Sequence, residues 1–484
     1  MLFNSLEFSF FLPIVFCLYW FVFQKNLKVQ NLLLLTSSYV FYGWWDWRFL
    51  SLIFLSTIVD YFVGLKINNS SNKRTRMSYL WVSILFNLGL LGFFKYFNFF
   101  IDSWIDLIGA FGYKHQSTWT LNVILPVGIS FYTFQTMSYS LDIYYGKLKP
   151  TKDFISFASF VSFFPQLVAG PIERASNLLP QILKNRVFKY QQGVQGLRII
   201  LWGIFKKVAI ADNLGEYVDK VFANYDMYDG STLFIILFFF TFQIYCDFSG
   251  YSDIAIGVAK LLGIKLSQNF KYPYFSRNIG DFWKKWHISL SSWFRDYVYI
   301  PLGGSKRGNL LAVRNIFITF LISGFWHGAN WTFIIWGFVH SILYIPLFLY
   351  RNKTFSKNKG NFYDHKNLLK KTFKGGITFF SVMIAWAFFR SDSITDAFLY
   401  LKKIFSNNLF FSPKNDFLQL SIGADVIIDT GILLIFIIFE FVQKNKRTIF
   451  EIENTPLRKI IYYLIILLTL LRYNDGNNFI YFQF

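Results

Sequence analysis

The residue of this sequence best suited to acid–base chemistry is His327, which lies in a long uncharged stretch. No Asp, Glu, Lys or Arg occurs among the 36 residues between Arg314 and Arg351, which include His327. Apolar surroundings disfavour the charged imidazolium, so we expect His327 to be neutral near pH 7 and able to accept a proton. That is the property of a general base. The alternative is a histidine that only hydrogen-bonds a neighbouring helix.

The other candidates for chemistry are fewer and weaker. His340 lies in the middle of an apolar run, where a structural hydrogen bond is an equally good interpretation, and His115 and His365 lie in polar loops. Cys17 and Cys246 are both in apolar stretches, which predicts small buried hydrophobic residues and neither a disulfide framework nor a metal site. The sequence contains no Ser-His-Asp order, nucleophile elbow, Walker loop or dinucleotide fingerprint. Histidine is therefore the expected acid–base group.

The fifth histidine, His287, lies in a segment whose aromatic residues recur at helical spacing. This spacing predicts one interfacial helix over 281–300 with an aromatic face that His287 borders. The residues of that face are Trp283, Trp286, Leu290, Trp293 and Tyr297. The basic residues Lys284, Lys285 and Arg295 are predicted to contact either lipid headgroups, which is the plainer interpretation, or an anionic thioester donor.

The composition of the chain predicts which kind of secondary structure positions these residues. Of the 484 residues, 54% are hydrophobic and only 15% are charged. A typical soluble chain has about 25% charged residues, so this chain lacks the polar surface that a soluble fold needs. We predict an all-α polytopic membrane protein with about 11–12 transmembrane helices of ~20 residues each, plus re-entrant and interfacial helices. All of it is expected to form a single membrane domain over residues 1–484.

The apolar segments divide into spans and shorter pieces. The predicted spans are 8–23, 31–46, 48–65, 78–97, 121–145, 194–211, 231–248, 314–328, 331–350, 375–390, 427–442 and 459–472. The shorter pieces at 99–111, 154–170, 251–264 and 281–300 suit interfacial or re-entrant helices better. The first span has no basic region before it and no small-residue cleavage site, so we expect a retained helix instead of a cleaved signal peptide.

The charge distribution predicts the orientation of the chain. The net charge is +21, and the loops 66–76 and 351–374 are strongly basic. Segment 212–229, by contrast, carries five acidic residues and one Lys. The positive-inside rule then places the basic loops in the cytoplasm and both the N-terminus and 212–229 outside. The positive-inside rule therefore explains the excess of basic residues, and no nucleic-acid-binding motif is present.

Several motifs occur in a fixed order along the chain. They lie at 164–174, 245–257, 269–274, 281–290, 299–304, 323–328 and 479–484. Together they resemble the membrane-bound O-acyltransferase family, and most closely its alginate O-acetyltransferase branch, with the D-alanyl-lipoteichoic acid transferase branch next. The resemblance extends from the first helix to the last residue, with a family core at about 121–350.

The resemblance implies a ring of helices around a thinned centre, with a tunnel that joins a cytoplasmic donor to an outside acceptor. It also implies that His327 is the essential family histidine and His287 its partner. Two departures are mild: Lys284 and Lys285 replace a usual pair of arginines, and Ser341 replaces a usual glycine. Because Lys lacks the bidentate fork of Arg, contacts to donor phosphates are expected to differ from those of the family.

These observations lead to a functional hypothesis. The protein would transfer an acetyl or another short acyl group from a cytoplasmic thioester, such as acetyl-CoA or an acyl carrier, to hydroxyls of an extracytoplasmic polysaccharide. Transfer would be direct or would pass through a periplasmic SGNH-type (Ser-His-Asp) acetyltransferase. The protein itself would lie in the inner membrane of a bacterium. His327 would take the proton of the acceptor hydroxyl, with His287 positioning a reactant; a transient acyl-histidine is a second route. No metal or permanently bound cofactor is expected.

The alternative comes from a different class of protein. A transporter or polysaccharide-export component could use buried histidines as proton relays. Transporters often have paired, Gly- or Pro-interrupted spans in two halves, and this sequence lacks such symmetry. A membrane scaffold would leave the uncharged stretch around His327 unexplained.

Overall fold

The computed structural model describes residues 1–112, 120–121, 123–168, 170–357, 368–406, 409, 412–413, 416–417, 423–444 and 455–473. Every regular element in these residues is helical, and none of them forms a β-strand. Helices satisfy their own backbone hydrogen bonds, which an apolar environment demands. The all-α prediction is therefore confirmed. His115, His365 and the motif at 479–484 lie outside the described residues.

Six helical stretches of the described chain are long and apolar enough to cross a membrane. They are Leu27–Asn69, Lys73–Ala110, Gly230–Leu261, Asn309–His327, Trp331–Tyr350 and Lys370–Arg390. Two shorter apolar stretches are Leu6–Val22 and Phe154–Leu167. The protein is thus a multi-pass membrane protein, as predicted. The total of about 11–12 crossings stays a prediction, since it rests on the length that a helix needs to span the hydrocarbon core.

Packing divides the chain into two compact units, of which the first comprises Met1–Ile200 and Tyr251–Ser267. Its helices are α1 (Leu6–Cys17), α2 (Leu27–Asp46), α3 (Leu50–Asn69), α4 (Lys73–Leu91), α5 (Phe97–Ala110), α6 (Ile129–Tyr144), α7 (Phe154–Ser162), α8 (Phe164–Leu167), α9 (Ala175–Ile182) and α10 (Tyr190–Ile204), the last of which ends in the second unit. Short π-helical segments, Leu18–Val22 and Gly92–Tyr96, continue α1 and α4.

A buried carboxylate joins three helices of the first unit. Asp60 on α3 is fully buried. It accepts hydrogen bonds from the hydroxyls of Ser83 on α4 and Ser140 on α6, the latter at 2.6 Å, and from the amide of Asn87 at 2.7 Å. A buried charge is tolerated only when it is hydrogen-bonded or paired, so these polar residues hold α3, α4 and α6 in one arrangement.

The second unit comprises Leu201–Gly250 and Gln268–Phe484 and contains all five residues predicted to act in the site. Its helices are α11 (Asp212–Ala223), α12 (Gly230–Leu261), α13 (Ile279–Trp283), α14 (Ile288–Phe294), α15 (Asn309–His327), α16 (Trp331–Lys357), α17 (Leu368–Arg390), α18 (Ile394–Ile404), α19 (Gly423–Gln443) and α20 (Thr455–Leu471), with the last turns of α12 in the first unit. The single membrane domain with a core at 121–350 stays a prediction.

The boundaries of α12 correct one prediction from sequence. Segments 231–248 and 251–264 were expected to be separate elements, but α12 runs through both as one helix of 32 residues. Small and polar residues between them lower the local hydropathy without breaking the helix. Gly250 has a packing reason to be there, because a Cβ at this position would lie 2.8 Å from the carbonyl oxygen of Gly203.

Two further predictions from sequence are wrong in detail. The predicted span 121–145 begins only at Ile129, because Pro126 and the left-handed Gly128, with φ of 74°, precede the helix. Cys17 was predicted to be buried, whereas it is exposed on α1 near the exposed side chains Phe10 and Ile14. Lipid hydrocarbon is as apolar as a protein core, so hydropathy does not distinguish a residue that faces lipid from one that faces protein.

The hairpin predicted around 328–330 is present and brings α15 and α16 into close contact. Both helices are longer than expected, with 19 and 27 residues. Gly324 and Gly337 allow the approach, since a Cβ on Gly324 would overlap the carbonyl oxygen of Phe333, and one on Gly337 that of Phe320. Small residues at such contacts are the usual means of close helix packing in membranes.

We expect Gly337→Ala to separate the hairpin and destabilise the protein by about 1–3 kcal/mol, the usual cost of overpacking a close contact. The overlap is with backbone, so α15 itself has to move. Thermal unfolding in detergent measures the effect. Gly431→Ala on α19 is the matched control, because a Cβ there meets nothing within 4 Å. Equal unfolding temperatures for the two variants would contradict this account of the hairpin.

Candidate active site

His327 is the last residue of α15 and lies where the hairpin turns. Only 2% of the residue is exposed. Its ring is surrounded by aromatic side chains, with centroids 5.0 Å from Trp326, 5.0 Å from Trp336 on α16 and 5.3 Å from Phe389 on α17. The helix ends directly after it at Gly328, where a Cβ would overlap the ring of Phe333. The uncharged hairpin thus places the imidazole in an aromatic interior, as the sequence predicted.

His287 lies in a turn and not in the long interfacial helix that the aromatic spacing predicted. Segment 281–300 is divided into the end of α13, a turn, α14, and the π-helical Arg295–Tyr299. His287 caps the start of α14 with φ of 42°, one of two non-glycine residues with positive φ in the described chain. A left-handed backbone costs free energy for a side chain with a Cβ and persists only when its surroundings hold it. The prediction of a single helix was therefore wrong.

Asn269 holds the turn at His287. Its side-chain oxygen accepts a hydrogen bond from the Ser289 hydroxyl at 2.8 Å and lies 3.2 Å from His287 Nδ1. Its backbone oxygen accepts from the N–H of Ile288 at 2.9 Å. Because the Asn269 side-chain oxygen is an acceptor, His287 Nδ1 carries the proton and Nε2 has the lone pair. Asn269 belongs to a motif noted in the sequence, but its role there was not predicted.

Burial sets the charge state of His287. The residue is completely buried, packed against Phe248 at 4.6 Å and Phe270 at 6.4 Å between ring centroids. Desolvation lowers the pKa of His287 to about 3, because burial penalises the charged imidazolium. The ring is therefore neutral near pH 7, so it can orient a polar group or accept a hydrogen bond without carrying a charge.

Trp326 connects the two histidines predicted to be catalytic. Its ring centroid lies 5.0 Å from that of His327 and 6.0 Å from that of His287. Two residues 40 positions apart in sequence are therefore both in contact with one indole. The arrangement provides two imidazoles in a single apolar interior, which is suited to proton transfer at a reacting hydroxyl and to its orientation.

The three basic residues predicted to contact a donor are not equally available. Lys284 is exposed, and Lys285 is half-buried with its ammonium 2.8 Å from the Asp281 carboxylate. Arg295 is exposed and pairs with the neighbouring Asp296 at 2.7 Å. Lys284 and Lys285 lie three and two residues before His287 in the chain. Their role as donor contacts stays a prediction.

A buried ion cluster near the site was missed in the sequence. Lys207 is buried in the π-helical Phe205–Ala211, where its ammonium lies 2.7 Å from Asp212 and 2.9 Å from Asp247. The neighbouring Lys206 donates to Ser249 at 2.8 Å. Buried charges persist only when paired, so Lys207 ties the start of α11 to α12. Ionisable residues in apolar segments are a signal that could have found it.

Among the described residues, no group of three or more His, Cys, Asp or Glu side chains is arranged to hold a metal ion. Cys246 is buried, as predicted.

Comparison with known proteins agrees with the fold and the motifs. Residues 149–384 match the model of the membrane-bound O-acyltransferase family. The probable alginate O-acetylase AlgI of Pseudomonas putida is 40% identical over 397 residues, which cover 81% of this chain and 78% of that protein. The peptidoglycan O-acetyltransferase of Helicobacter pylori is 38% identical over 431 residues, 83% of this chain and 79% of that protein. The teichoic acid D-alanyltransferase of Bacillus subtilis is 32% identical over 233 residues, 46% of this chain and 58% of that protein.

The helical membrane fold and these relatives define the protein as an integral-membrane acyltransferase. The chain belongs to the membrane-bound O-acyltransferase family, as its motifs predicted. The protein is therefore an enzyme, and the alternative interpretation as a transporter is rejected.

Proposed function

We propose that the protein transfers an acetyl or another short acyl group from a cytoplasmic thioester to hydroxyls of an extracytoplasmic polysaccharide, in the inner membrane of a bacterium. The observation that carries this proposal is that the buried rings of His327 and His287 both contact the indole of Trp326. The names of the relatives support acetyl as the group and a surface glycan, alginate or peptidoglycan, as the class of acceptor.

In the proposed reaction, the acceptor hydroxyl oxygen attacks the thioester carbonyl carbon while His327 takes the hydroxyl proton. The C–S bond then breaks, and the leaving thiolate receives that proton from the His327 imidazolium, so that an ester and a free thiol result. His287, held by Asn269 as a neutral ring, positions a reactant by hydrogen bonding. A transient acyl-histidine at His327 is a second route to the same products.

The acyl group reaches the polysaccharide either directly or through a periplasmic acetyltransferase of the SGNH type. Lys284, Lys285 and Arg295 are the candidate contacts for the donor, which is acetyl-CoA or an acyl carrier. A donor of either kind carries phosphate, and Lys ammonium groups bind phosphate as point charges. The donor side is cytoplasmic if the basic loops follow the positive-inside rule.

Mass spectrometry of surface glycans with and without the gene tests the proposal. We expect deletion to remove acyl esters from one polysaccharide while its amount at the surface is unchanged, and re-expression to restore the esters. An export component behaves differently, because its loss removes the polysaccharide itself. Unchanged ester content in the deletion strain, or loss of the polysaccharide, would contradict the proposed function.

A further inference from the structure

A polar cavity of about 210 Å³ lies in the second unit, between α11, the start of α19 and the residues that follow α20. We term it the α11–α19 cavity. Its polar lining consists of Asn213, Glu216 and Tyr217 from α11, Asp425 from α19, and Arg472 and Tyr473 after α20. The proposed reaction uses none of these residues. The cavity is smaller than the ~300–1,000 Å³ of pockets for drug-sized molecules, so it suits one small polar group.

Arg472 is the central polar residue of the cavity. Its guanidinium donates to the carboxylates of Asp425 at 2.9 Å and Asp429 at 2.6 Å, and the Tyr217 hydroxyl also donates to Asp429, at 2.6 Å. Asp429 is only 3% exposed. In the described part of the chain, Arg472 Nε and Asp429 Oδ1 are buried and have no hydrogen-bond partner. Such groups are costly, so a polar ligand that hydrogen-bonds Arg472 would be stabilised in the cavity.

Helix α17 relates α11 to the turn that carries His327. Segment 351–374, which includes the start of α17, is basic and is predicted to be cytoplasmic. At the other end of α17, Arg390 pairs with Asp219 on α11 at 2.7 Å. The neighbouring Phe389 contacts His327, with 5.3 Å between ring centroids. α11 and His327 therefore both lie at the end of α17 that is remote from the basic segment, which is the predicted outer side.

Carboxylates outnumber cations around the cavity. Glu216, Asp425 and Asp429 supply three acidic groups. Arg472 is opposed to them, together with the exposed Lys220, whose ammonium lies 3.9 Å from the Glu216 carboxylate. The net charge is therefore negative, and like charges repel, so an anionic ligand such as a uronic acid is disfavoured.

The hydroxyl groups of a sugar match the hydrogen-bonding capacity of the cavity. A hydroxyl both donates and accepts, whereas a carboxylate only accepts and a guanidinium only donates. Glu216 and Asp425 are exposed, so their oxygens can accept from hydroxyls, and Arg472 Nε can donate to one. Tyr473 is also exposed and offers an aromatic surface against which the apolar face of a sugar ring packs.

We propose that the α11–α19 cavity binds one uncharged sugar residue of the acceptor polysaccharide. Neither His327 nor His287 lines the cavity, so the sugar bound there is not the one that is acylated. This rests on the proposed function, because it assumes a glycan acceptor on the outer side. It narrows the class of acceptor, since neutral hexoses and N-acetylhexosamines fit the cavity and uronic acids do not.

Calorimetric titration of the purified full chain in detergent with two tetrasaccharides, one of N-acetylglucosamine and one of mannuronic acid, tests the assignment. We expect the wild type to bind the uncharged tetramer more tightly. Glu216→Gln keeps an acceptor but loses the charge, so it is expected to raise the Kd for the uncharged tetramer about threefold and to lower the Kd for the uronic acid tetramer. Tyr473→Ala is expected to raise the Kd for the uncharged tetramer about fivefold.

Asp226→Asn is the matched control, because Asp226 is an exposed acid of the same segment that does not line the cavity. Its two Kd values are expected to equal those of the wild type, and thermal unfolding confirms that all variants fold. The assignment is overturned if the wild type binds neither tetramer or prefers the uronic acid, or if folded Glu216→Gln shifts both Kd values in the same direction. Failure of the proposed function gives a different result, because the wild type would then bind the uncharged tetramer and transfer no acetyl group from acetyl-CoA to any glycan.

Discussion

Acyl transfer by a His327→Ala variant is expected to fall to background, since removal of a general base typically costs about 10²–10⁴-fold in rate. His327 is 98% buried from solvent by its aromatic neighbours and lies in an uncharged hairpin, so no Asp, Glu, Lys or Arg in that stretch can replace it. The measurement is acyl transfer by purified protein in liposomes with a labelled thioester donor. Raising the donor concentration is expected to restore nothing, because the missing proton acceptor acts on the chemical step.

The control for His327→Ala is expression and thermal unfolding of the same preparation, since loss of a buried ring also leaves a cavity. His115→Ala is the matched histidine control, because sequence places His115 in a polar loop. Near-normal transfer by well-folded His327→Ala protein would exclude His327 as the base.

His287→Ala is expected to reduce acyl transfer partly, with the loss partly recovered at high donor concentration. His287 is held by Asn269 in a turn that directly follows Lys284 and Lys285, so it approaches the reaction from the side of the predicted donor contacts. A residue that orients a reactant acts on binding as well as on rate, which raises KM as well as lowering kcat. Titrating the donor in the liposome assay separates this behaviour from that of His327→Ala.

The left-handed backbone at His287 requires its own control. Alanine at φ of 42° adds strain, whereas asparagine tolerates this conformation better and lacks only the imidazole. If His287→Asn is inactive at every donor concentration, the division of labour is wrong and both histidines form one catalytic unit. If it has wild-type kinetics, His287 is only structural.

The membrane class and the positions of the apolar helices were predicted correctly from sequence, because hydropathy depends on which residues follow one another. Each predicted span contains a helix, and the predicted hairpin is present where α15 ends at His327. The uncharged stretch from Asn315 to Tyr350 contains His327 and His340, and the structure buries both among aromatic rings. Local composition was sufficient there, since an uncharged apolar segment is stable only in an apolar environment.

Periodicity failed where a distant residue overrides local preference. The aromatic spacing of 281–300 favoured one helix, but hydrogen bonds that Asn269 accepts hold a left-handed turn at His287, which no pattern within the segment encodes. Conversely, the polar residues around Gly250 suggested a break, although α12 continues through them and Gly250 packs closely against Gly203. Backbone preferences of about 1 kcal/mol per residue are small enough for such contacts to reverse.

Sequence alone supplied the candidates for acid–base chemistry, because the chain has only five histidines and two cysteines. Only the tertiary structure decided which of them meet. Trp326 contacts both His327 and His287, and three helices bring Trp283, Trp336 and Trp386 around His340. These contacts depend on how helices far apart in the chain pack against one another. Hydropathy and spacing do not determine that packing, because they describe one helix at a time.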